Sequence, residues 1–402
     1  MQTYKEVEMK KIAFVMTSLN TGGITTSLLN LLNELQTVSD INIDVILFHS
    51  QESDKTLLPN NIAIKTPGKL AELISISVNS AKKMGVRYFV PKIFYGVLCK
   101  LFGHGITYKM IFRYCKRYGE YDYAISCSQS APLHDMYGGC NEYVLSNIKA
   151  KKKITFIHCD YNNYGINDKY SHKIYKEFDK IAVVSESVGK VFLADEPGFA
   201  SKTFTVRNCH NINKILSLSK EDTFIYNQNE LNILTVARMG KEKGHIRVLA
   251  ALKIFNDKGI SYKWHLVGGS YETAPMGFIE KIKELGVESN IIFHGVQSNP
   301  YKYMPGADFL LVPSYHEAAP MVFDEARILH LPIVTTRTVS ADEMVGNCSI
   351  GMVCENTDES LTTALLYIVS HPEELKYYKE NTDKFIADNS NAIQQFMSVI
   401  GD

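Results

Sequence analysis

The chain has 402 residues, 45% of them apolar, which suits two α/β domains of about 200 residues each with large cores. Its formal net charge is zero at pH 7, which excludes the recruitment of nucleic acid by a global field. Eight cysteines are scattered without a CxxC pair, so neither a disulfide framework nor a zinc site is indicated, and reduced thiols suit the cytoplasm.

Apolar runs of strand length alternate with segments of helical periodicity along the chain. A first series has predicted strands at 12–16, 43–48, 123–126, 153–157 and 180–185, with a helix at 25–35. After a polar, poorly periodic linker at 215–229, a second series has strands at 231–236, 264–267, 291–294, 309–312 and 333–335 and helices at 246–256 and 277–285. This predicts two tandem Rossmann-like, doubly wound α/β domains that face each other across a cleft. We place them at 1–212 and 213–402 and expect the last helix, 391–400, to cross back to the first domain.

Gly22 and Gly23 follow the first predicted strand and precede a helix. Glycine lets the backbone approach a ligand closely, and Thr25 or Thr26 can cap the helix. The pair lacks the G-x-G-x-x-G spacing of dinucleotide-binding loops. A ligand-binding loop and a plain strand-to-helix turn are therefore equal alternatives at this point.

The segment 65–118 is rich in both cations and apolar side chains. Eleven Lys or Arg residues stand against a single acidic one, Glu72, with aromatic and aliphatic residues between them. This pattern is typical of helices on an anionic membrane surface, and a nucleic-acid patch is the weaker interpretation. Ordinary helices whose apolar faces form the first domain's core explain the composition equally well. The cations are Lys65, Lys69, Lys82, Lys83, Arg87, Lys92, Lys100, Lys109, Arg113, Lys116 and Arg117.

His158 ends the predicted strand 153–157, at the carboxyl edge where α/β domains bind ligands. The alternative is a histidine that only satisfies a nearby backbone group. Cys159 and Asp160 follow it directly, but adjacent residues rarely face one another, so a thiol nucleophile is not indicated.

Arg238 and Lys243 follow the strand 231–236, again at a carboxyl edge. A guanidinium fork and an ammonium can together neutralise a diphosphate leaving group. The alternative is two solvated surface cations. No Asp-x-Asp motif follows an apolar strand, so we expect charge neutralisation without a metal ion.

Glu317 and Glu325 flank the start of a helix that follows the strand 309–312, with Pro320 in the predicted first turn. The amides of a helix N-terminus and its dipole bind anions. Two carboxylates beside such a site can accept hydrogen bonds from hydroxyls on either side of a diphosphate. This arrangement suits a nucleotide sugar, and the alternative is an amphipathic helix with one capping and one solvated glutamate.

These motifs together resemble a known family. The two glutamates, with seven residues between them, after Pro313-Ser314 and before Ala326, resemble the signature of retaining glycosyltransferases of the two-Rossmann-domain (GT-B) type, family 4 (glycosyl transferases group 1) in particular. Residues 11–23 resemble that family's first strand and glycine loop, 234–244 its donor-domain opening, and 293–296 its base-binding loop. The resemblance extends over nearly the whole chain.

The resemblance implies roles for the second domain. Glu325 would hold the ribose hydroxyls and Glu317 those of the transferred sugar. Arg238 and Lys243 would neutralise the diphosphate, whose oxygens would also meet two helix amides. Those amides belong to Met321 and Val322.

Other expected contacts follow from the same resemblance. The Val296 backbone would meet the base, His158 would lie near the sugar and the acceptor, and Gly23 would face the diphosphate and the acceptor. The chain departs from the family where glycine usually follows the first glutamate. Ala318 and Ala319 stand there, and their amides are expected to reach the sugar. A smaller departure is Ala237, where the family usually has glycine before the arginine.

The predicted activity is that of a retaining hexosyltransferase-type glycosyltransferase that moves a sugar from a nucleoside diphosphate, UDP above all, to a hydroxyl. The first domain would bind a glycan or lipid-linked acceptor, in surface polysaccharide or glycolipid assembly. Alternatives are a nucleotide-sugar epimerase on the same fold and a non-catalytic partner subunit of a transferase. The polar first residues and the lack of an apolar run of about 18 residues predict neither a signal peptide nor a membrane span. We expect a cytoplasmic protein, with 65–118 as its contact to the inner face of the cell membrane.

Overall fold

The computed structural model of the protein describes residues 9–20, 22–38 and 40–401. The polar first eight residues and Thr21 of the glycine loop lie outside this part of the chain. The protein divides into two compact units. The first unit runs to Cys209 and includes the residues from Asn389 onward, and the second unit spans His210–Asp388, whereas the sequence places the boundary after residue 212.

The first unit contains a parallel sheet with the strand order β3-β2-β1-β4-β5-β6-β7. Its strands are β1 (Lys10–Met16), β2 (Ile41–Leu47), β3 (Ala63–Lys65), β4 (Tyr118–Ser126), β5 (Ile148–Ile157), β6 (Lys180–Val183) and β7 (Thr203–Thr205). Its helices are α1 (Gly23–Leu35), α2 (Asp54–Leu57), α3 (Lys69–Ser75), α4 (Val78–Lys83), α5 (Val86–Phe102), α6 (His104–Phe112), α7 (Cys140–Asn147), α8 (Lys169–Lys176), α9 (Glu186–Asp195) and, at the end of the chain, α16 (Ser390–Val399).

Helices cover both faces of this sheet, because successive side chains of a strand point to opposite sides. Phe14 of β1 belongs to a core cluster with side chains of α1 and α16, while Val15 belongs to a second cluster with α6 and α7. Phe396 of α16 is fully buried and stacks on Phe14 with ring centroids 6.0 Å apart. Burial of such a side chain contributes about 1.5–3 kcal/mol, so the last helix is an integral part of the first unit.

The second unit contains a parallel sheet with the strand order β10-β9-β8-β11-β12-β13. Its strands are β8 (Leu231–Val236), β9 (Tyr262–Val267), β10 (Ile291–Gly295), β11 (Phe309–Val312), β12 (Ile333–Thr336) and β13 (Gly351–Cys354). Its helices are α10 (Ile212–Lys220), α11 (Leu249–Asp257), α12 (Phe278–Leu285), α13 (Met321–Ile328), α14 (Asp358–Ser370) and α15 (Pro372–Asp383).

Strand β11 shows how this sheet is buried. Phe309 and Leu311 enter the cluster that holds α11, α12 and α14, while Leu310 and Val312 enter the cluster that holds α13. A strand with both faces covered reads as a continuous apolar run, which is why the sequence predicts its bounds correctly. The two predicted doubly wound parallel sheets are confirmed.

One prediction is wrong at the start of the second unit. The polar linker predicted at 215–229 overlaps α10, whose first turn is capped by Asn211, because the Asn211 side chain accepts a hydrogen bond from the Lys214 amide at 3.0 Å. Ile215 is buried, with 3% of its surface exposed. A nine-residue helix is too short to establish a clear period among polar neighbours.

The basic segment 65–118 forms the end of β3 and the helices α3 to α6, and part of it packs in the core of the first unit. Ile111 and Phe112 of α6 lie in the core of the first unit. Lys92 is buried and donates to the Leu73 carbonyl at 2.8 Å, and burial lowers its pKa. Lys65 donates to the Asp44 carboxylate at 2.7 Å. These two lysines are therefore not free surface cations, contrary to the reading of the whole segment as a basic surface.

None of the helices among the described residues combines the length and the apolarity needed to cross a bilayer.

Candidate active site

The central contact of the site joins Lys243 to Glu317. Lys243 lies in a short turn after β8, Glu317 lies in the loop after β11, and β8 and β11 are neighbours in the sheet. The Lys243 ammonium donates to Glu317 Oε1 at 2.6 Å, and the Ser314 hydroxyl donates to the same oxygen at 2.8 Å. The two charged side chains are only 21% and 13% exposed. The ammonium therefore offsets the glutamate's charge, so that a carboxylate can stay beside an anion-binding helix end.

Arg247 holds the loop that carries Glu317, and sequence reasoning missed it. Its side chain is buried and stacks on the Tyr315 ring, 4.3 Å from the centroid. Its guanidinium donates to the Pro313 carbonyl at 3.3 Å and to the Asp358 carboxylate at 2.7 Å. The single sequence feature that points to this role is the position of Arg247 between two apolar residues, Ile246 and Val248.

Gly244 brings the two loops into contact. Its φ of +67° lies in the left-handed region, and a Cβ at this position would overlap the Pro313 carbonyl oxygen. The Tyr315 amide also donates to the Glu242 carbonyl at 2.9 Å. The Lys-Gly pair at 243 and 244 therefore fixes the lysine's loop against the glutamate's loop.

Helix α13 presents its N-terminus at the same edge of the sheet. Pro320 stands immediately before the helix rather than in its first turn, and Met321 and Val322 begin it. The N-cap residue Pro320 supplies no side-chain hydrogen bond to these amides. A helix end of this kind offers N–H donors and a positive dipole to an anion.

Glu325 lies one turn further along α13, in a half-buried position. The Tyr301 hydroxyl donates to Glu325 Oε1 at 3.1 Å. Burial, reinforced by Asp324, raises the pKa of the Glu325 carboxyl, while His210 and the Tyr301 hydrogen bond act in the opposite direction. The carboxyl is held in place by Tyr301 and can accept hydrogen bonds from hydroxyls of a ligand.

Arg238 does not join the Lys243–Glu317 pair. Its side chain is 80% exposed, and its guanidinium lies 3.4 Å from Glu242 Oε1, on the same turn. An exposed ion pair of this type contributes little, about 0–1 kcal/mol, so an anionic ligand can compete for the guanidinium.

The other residues of the second unit that the sequence predicts to contact the donor lie in two loops. Val296 follows β10 and is 81% exposed. The preceding Gly295 has a left-handed φ of +71°, and its carbonyl accepts a hydrogen bond from the Gly268 amide at 2.8 Å. Ala318 is buried and Ala319 is partly buried, between Glu317 and α13. The structure thus places the two alanines beside the helix N-terminus and Val296 on a different loop.

In the first unit, the glycine pair stands at the carboxyl end of β1. Gly22 and Gly23 are exposed, and the Gly22 carbonyl accepts a hydrogen bond from the Thr26 amide at 3.0 Å. The predicted side-chain cap is wrong, because the Thr25 hydroxyl donates to the Asn20 carbonyl at 2.6 Å instead. The exposed glycine backbone leaves this turn accessible to a ligand.

His158 follows β5, at the carboxyl edge of the first sheet. Its amide donates to Gln129 Oε1 at 3.2 Å, and its ring stacks on Phe156 with centroids 5.4 Å apart. Burial lowers the pKa of the imidazole to about 4, so it is neutral at physiological pH. The neighbouring Cys159 thiol is buried and its pKa is raised, which leaves it unsuited to nucleophilic chemistry.

Two buried histidines of the second unit have no place in this site. Within the described residues, neither ring nitrogen of His245 has a hydrogen-bond partner, and the ring lies 6.2 Å from that of Trp264. His265 Nδ1 lies 3.0 Å from His294 Nε2. Burial lowers the pKa of both His245 and His265 to about 4, with further lowering by Lys243 and by His294 respectively.

We therefore expect the second unit to lose stability as the pH falls from about 7.5 to about 5.5. An unfolded histidine takes up a proton near pH 6.5, but these folded histidines do not until about pH 4. Each histidine therefore leaves the free energy of unfolding unchanged above pH 6.5 and lowers it below that pH. Between pH 7.5 and 5.5 the loss is about 1 kcal/mol for each histidine. Urea unfolding followed by the fluorescence of Trp264, the chain's single tryptophan and fully buried, measures this effect.

The matched variant for this measurement is His245→Leu, which removes a titrating ring that makes no hydrogen bond with the described residues. Its unfolding midpoint should fall less than the wild type's over the same pH range. A wild-type midpoint that does not change with pH would contradict the expectation.

Among the described residues, no group of three or more His, Cys, Asp and Glu side chains is placed to hold a metal ion.

Comparison with known proteins finds a family-model match within the second unit. Residues 220–385 match the family model described as glycosyl transferases group 1. An uncharacterised glycosyltransferase of Methanocaldococcus jannaschii is 24% identical over 173 residues, which are 40% of this chain and 40% of that protein. The lipopolysaccharide glucosyltransferase WaaG of Escherichia coli is 29% identical over 120 residues, 28% of this chain and 32% of WaaG. The matches thus span well under half the length of these two relatives.

One solved structure is similar to this chain over almost the whole length of both proteins. The crystal structure of HepE from Anabaena in complex with UDP covers 98% of this chain and 97% of its own, with a TM-score of 0.64 and 16% sequence identity. At this identity the likeness establishes the fold. Residues 220–385 therefore match the glycosyl transferases group 1 family model, within a chain that has the two-domain α/β fold of HepE.

Proposed function

We propose that the chain is a retaining glycosyltransferase of family 4 that transfers a hexose-type sugar from a nucleoside diphosphate, UDP above all, to a hydroxyl acceptor. The observation that carries this proposal is the Lys243–Glu317 pair, 2.6 Å apart, beside the N-terminus of α13. It combines a cation and helix amides for a diphosphate with a carboxylate for sugar hydroxyls. The family-model match within the second unit and the UDP complex of the similar HepE structure support a UDP-sugar donor.

The donor would be held mainly by the second unit. The diphosphate oxygens would accept from the amides of Met321 and Val322 and from the side chains of Lys243 and Arg238. The sugar hydroxyls would donate to Glu317 and lie near the amides of Ala318 and Ala319. The ribose hydroxyls would donate to Glu325, and the base would lie at the backbone of Val296.

Transfer with retention would proceed on one face of the sugar. The bond between the anomeric carbon and the phosphate oxygen breaks, and the acceptor oxygen bonds to the same face. The leaving phosphate oxygen takes the acceptor proton, so that no carboxylate base is required. Positive charge at the leaving group, from Lys243, Arg238 and the α13 amides, is the main stabilisation of the transition state and would replace a metal ion. In the first unit, His158 would lie near the sugar and the acceptor, and the Gly22-Gly23 turn would face the diphosphate and the acceptor.

The direct test of this function is a thermal-shift comparison of UDP-, GDP- and ADP-sugars. A ligand at about a hundred times its dissociation constant stabilises the folded state by about 2.7 kcal/mol, which corresponds to a Tm increase of about 5 °C or more for a unit of this size. We expect this increase with UDP-sugars and a smaller one with the other two classes. Equal shifts for all three, or none, would contradict a UDP-sugar site.

We also propose that the enzyme acts at an anionic membrane, in surface polysaccharide or glycolipid assembly. Helices α5 and α6 carry a set of exposed apolar side chains, which we call the α5–α6 face: Val86, Val90, Ile93, Phe94, Val97, Leu101, Phe102, Ile106 and Met110. On α5 these residues recur at helical spacing and so share one side of the helix. The surrounding exposed cations and the lack of any acidic residue between Glu72 and Glu120 match a negatively charged bilayer.

Liposome flotation tests this contact. The chain should float with phosphatidylglycerol liposomes at low salt and less so at high salt, because each cation near such a surface contributes about 1 kcal/mol that salt screens. A variant with Lys82, Lys83, Arg87 and Lys100 changed to Ser should float weakly, as should Phe94→Ser with Leu101→Ser. The control removes four exposed lysines elsewhere in the first unit: Lys149, Lys173, Lys176 and Lys190. The proposed contact is refuted if the wild type does not bind anionic liposomes. It is also refuted if the control variant loses as much binding as the variant at Lys82, Lys83, Arg87 and Lys100.

A further inference from the structure

The first unit contains a cavity that no sequence motif marked. It has a volume of about 420 Å³ and is lined by Pro132, Asp135, Met136, Tyr137 and Tyr164. Its residues come from the loop after β4 and the loop after β5, which are neighbouring strands of the sheet. Ligands of doubly wound folds bind at the carboxyl ends of the strands, and this volume lies in the range of small-molecule sites.

The lining of this cavity suits a sugar ring. None of the five described lining residues carries a cation, so the cavity is a poor site for a diphosphate. Tyr137 is 55% exposed, and Tyr137, Tyr164 and Met136 provide flat apolar surface for the C–H groups of a pyranose. The Asp135 carboxylate can accept hydrogen bonds from its hydroxyls. Burial raises the pKa of Tyr164 to about 12, so its phenol remains a donor at neutral pH.

The cavity is connected to His158 through one side chain. The Gln129 side-chain oxygen Oε1 accepts the His158 amide hydrogen at 3.2 Å, and the same side chain also forms a hydrogen bond with Tyr164. His158 is the first-unit residue that the proposed function assigns to the acceptor side. The cavity and that histidine therefore share a single hydrogen-bonded support.

The loop after β4, which supplies four of the five lining residues, is hydrogen-bonded to the helices that carry the α5–α6 face. The His104 amide donates to the Leu133 carbonyl at 2.8 Å, and the Tyr108 hydroxyl donates to the Tyr137 carbonyl at 2.7 Å. His134 Nδ1 lies 3.3 Å from the Cys99 carbonyl oxygen. These contacts hold the cavity at a constant distance from the exposed apolar side chains of α5 and α6.

We infer that this cavity binds the acceptor, and that the acceptor is a pyranose carried on a lipid whose hydrocarbon lies on the α5–α6 face. The inference rests on the proposed function, because it names the second substrate of that transfer. Asp135 and the two tyrosines hold the sugar, and the apolar side chains of α5 and α6 hold the chain attached to it.

Ligand-detected NMR titration of the full-length protein tests this site. The probes are the α- and β-methyl glycosides of glucose, galactose, N-acetylglucosamine and N-acetylgalactosamine, together with the n-octyl glycosides of the same sugars below their micelle-forming concentrations. At least one methyl glycoside should bind, and Tyr137→Ala should weaken it about tenfold, as expected for loss of an aromatic contact. Asp135→Asn should weaken it to a similar extent. The octyl form should bind about tenfold more tightly than the methyl form, and Leu101→Ser with Phe102→Ser should remove that difference.

The matched control is Tyr377→Ala on α15, because Tyr377 is 51% exposed and lies outside the cavity. Binding of no methyl glycoside, or equal binding by wild type and Tyr137→Ala, would overturn the cavity as a sugar site. Equal affinity for octyl and methyl forms would overturn the lipid-linked acceptor. UDP affinity, measured in the same samples, separates this inference from the proposed function. Sugar binding without UDP binding refutes the transferase but not the cavity, and UDP binding without sugar binding refutes the cavity alone.

Discussion

Replacement of Lys243 by alanine is expected to lower kcat by about a hundredfold or more, the cost of removing one contact to charge that develops in the transition state. Lys243 is the cation that the structure places beside Glu317 and the N-terminus of α13. Arg238→Ala should have a loss of the same order, because the exposed Arg238 can leave Glu242 for the leaving phosphate. Lys241→Ala is the matched control, since Lys241 is an exposed lysine of the same turn.

Because Lys243 pairs with Glu317, the slower turnover of Lys243→Ala has two possible explanations, and a double variant distinguishes between them. If Lys243 only offsets the charge of Glu317, then Lys243→Ala should cause no further loss of turnover in a Glu317→Gln background. If Lys243 acts on the leaving group, Lys243→Ala should slow the Glu317→Gln variant about as much as it slows the wild type. Turnover of the wild type should survive EDTA. Full activity in both single variants, or strict dependence on added Mn²⁺, would refute the metal-free mechanism.

Sequence patterns predict the scaffold of this site better than its contacts. Strands β8 and β11 are predicted with their exact bounds, because buried parallel strands read as continuous apolar runs. Their adjacency brings the loops of Lys243 and Glu317 together. The partner of each cation depends on side-chain conformation, and no spacing rule indicates that Lys243 pairs with Glu317 while Arg238 pairs with Glu242.

Burial explains the other differences between prediction and structure. Lys92 has the same local pattern as its exposed neighbours, but its ammonium turns inward to the Leu73 carbonyl. Arg247 stands in an apolar run and is buried against Tyr315, with an acidic partner, Asp358, that lies 111 residues further along the chain. Contacts over such distances in sequence carry no local signal. The cavity at Tyr137 and Tyr164 is likewise formed by two loops that only the sheet brings together.

Substitution of Glu325 by glutamine should weaken UDP binding by roughly 1.5–3 kcal/mol, about ten- to 150-fold, because it removes a charged hydrogen-bond acceptor. The side chain is half-buried, and Tyr301 donates to one of its oxygens at 3.1 Å. The second oxygen is the acceptor that a ribose hydroxyl would use. Glutamine has the same shape, so the fold should be retained.

Calorimetry with two ligands identifies what Glu325 binds. The wild type should prefer UDP over 2′,3′-dideoxy-UDP, and Glu325→Gln, which keeps only a neutral acceptor, should show a clearly smaller preference. Tyr301→Phe is the matched comparison, because it keeps the carboxylate and removes only the hydroxyl that orients it. Its preference for UDP should therefore be reduced less than that of Glu325→Gln. If Glu325→Gln binds UDP as tightly as the wild type, or discriminates against the dideoxy ligand as strongly as the wild type does, Glu325 does not hold the ribose.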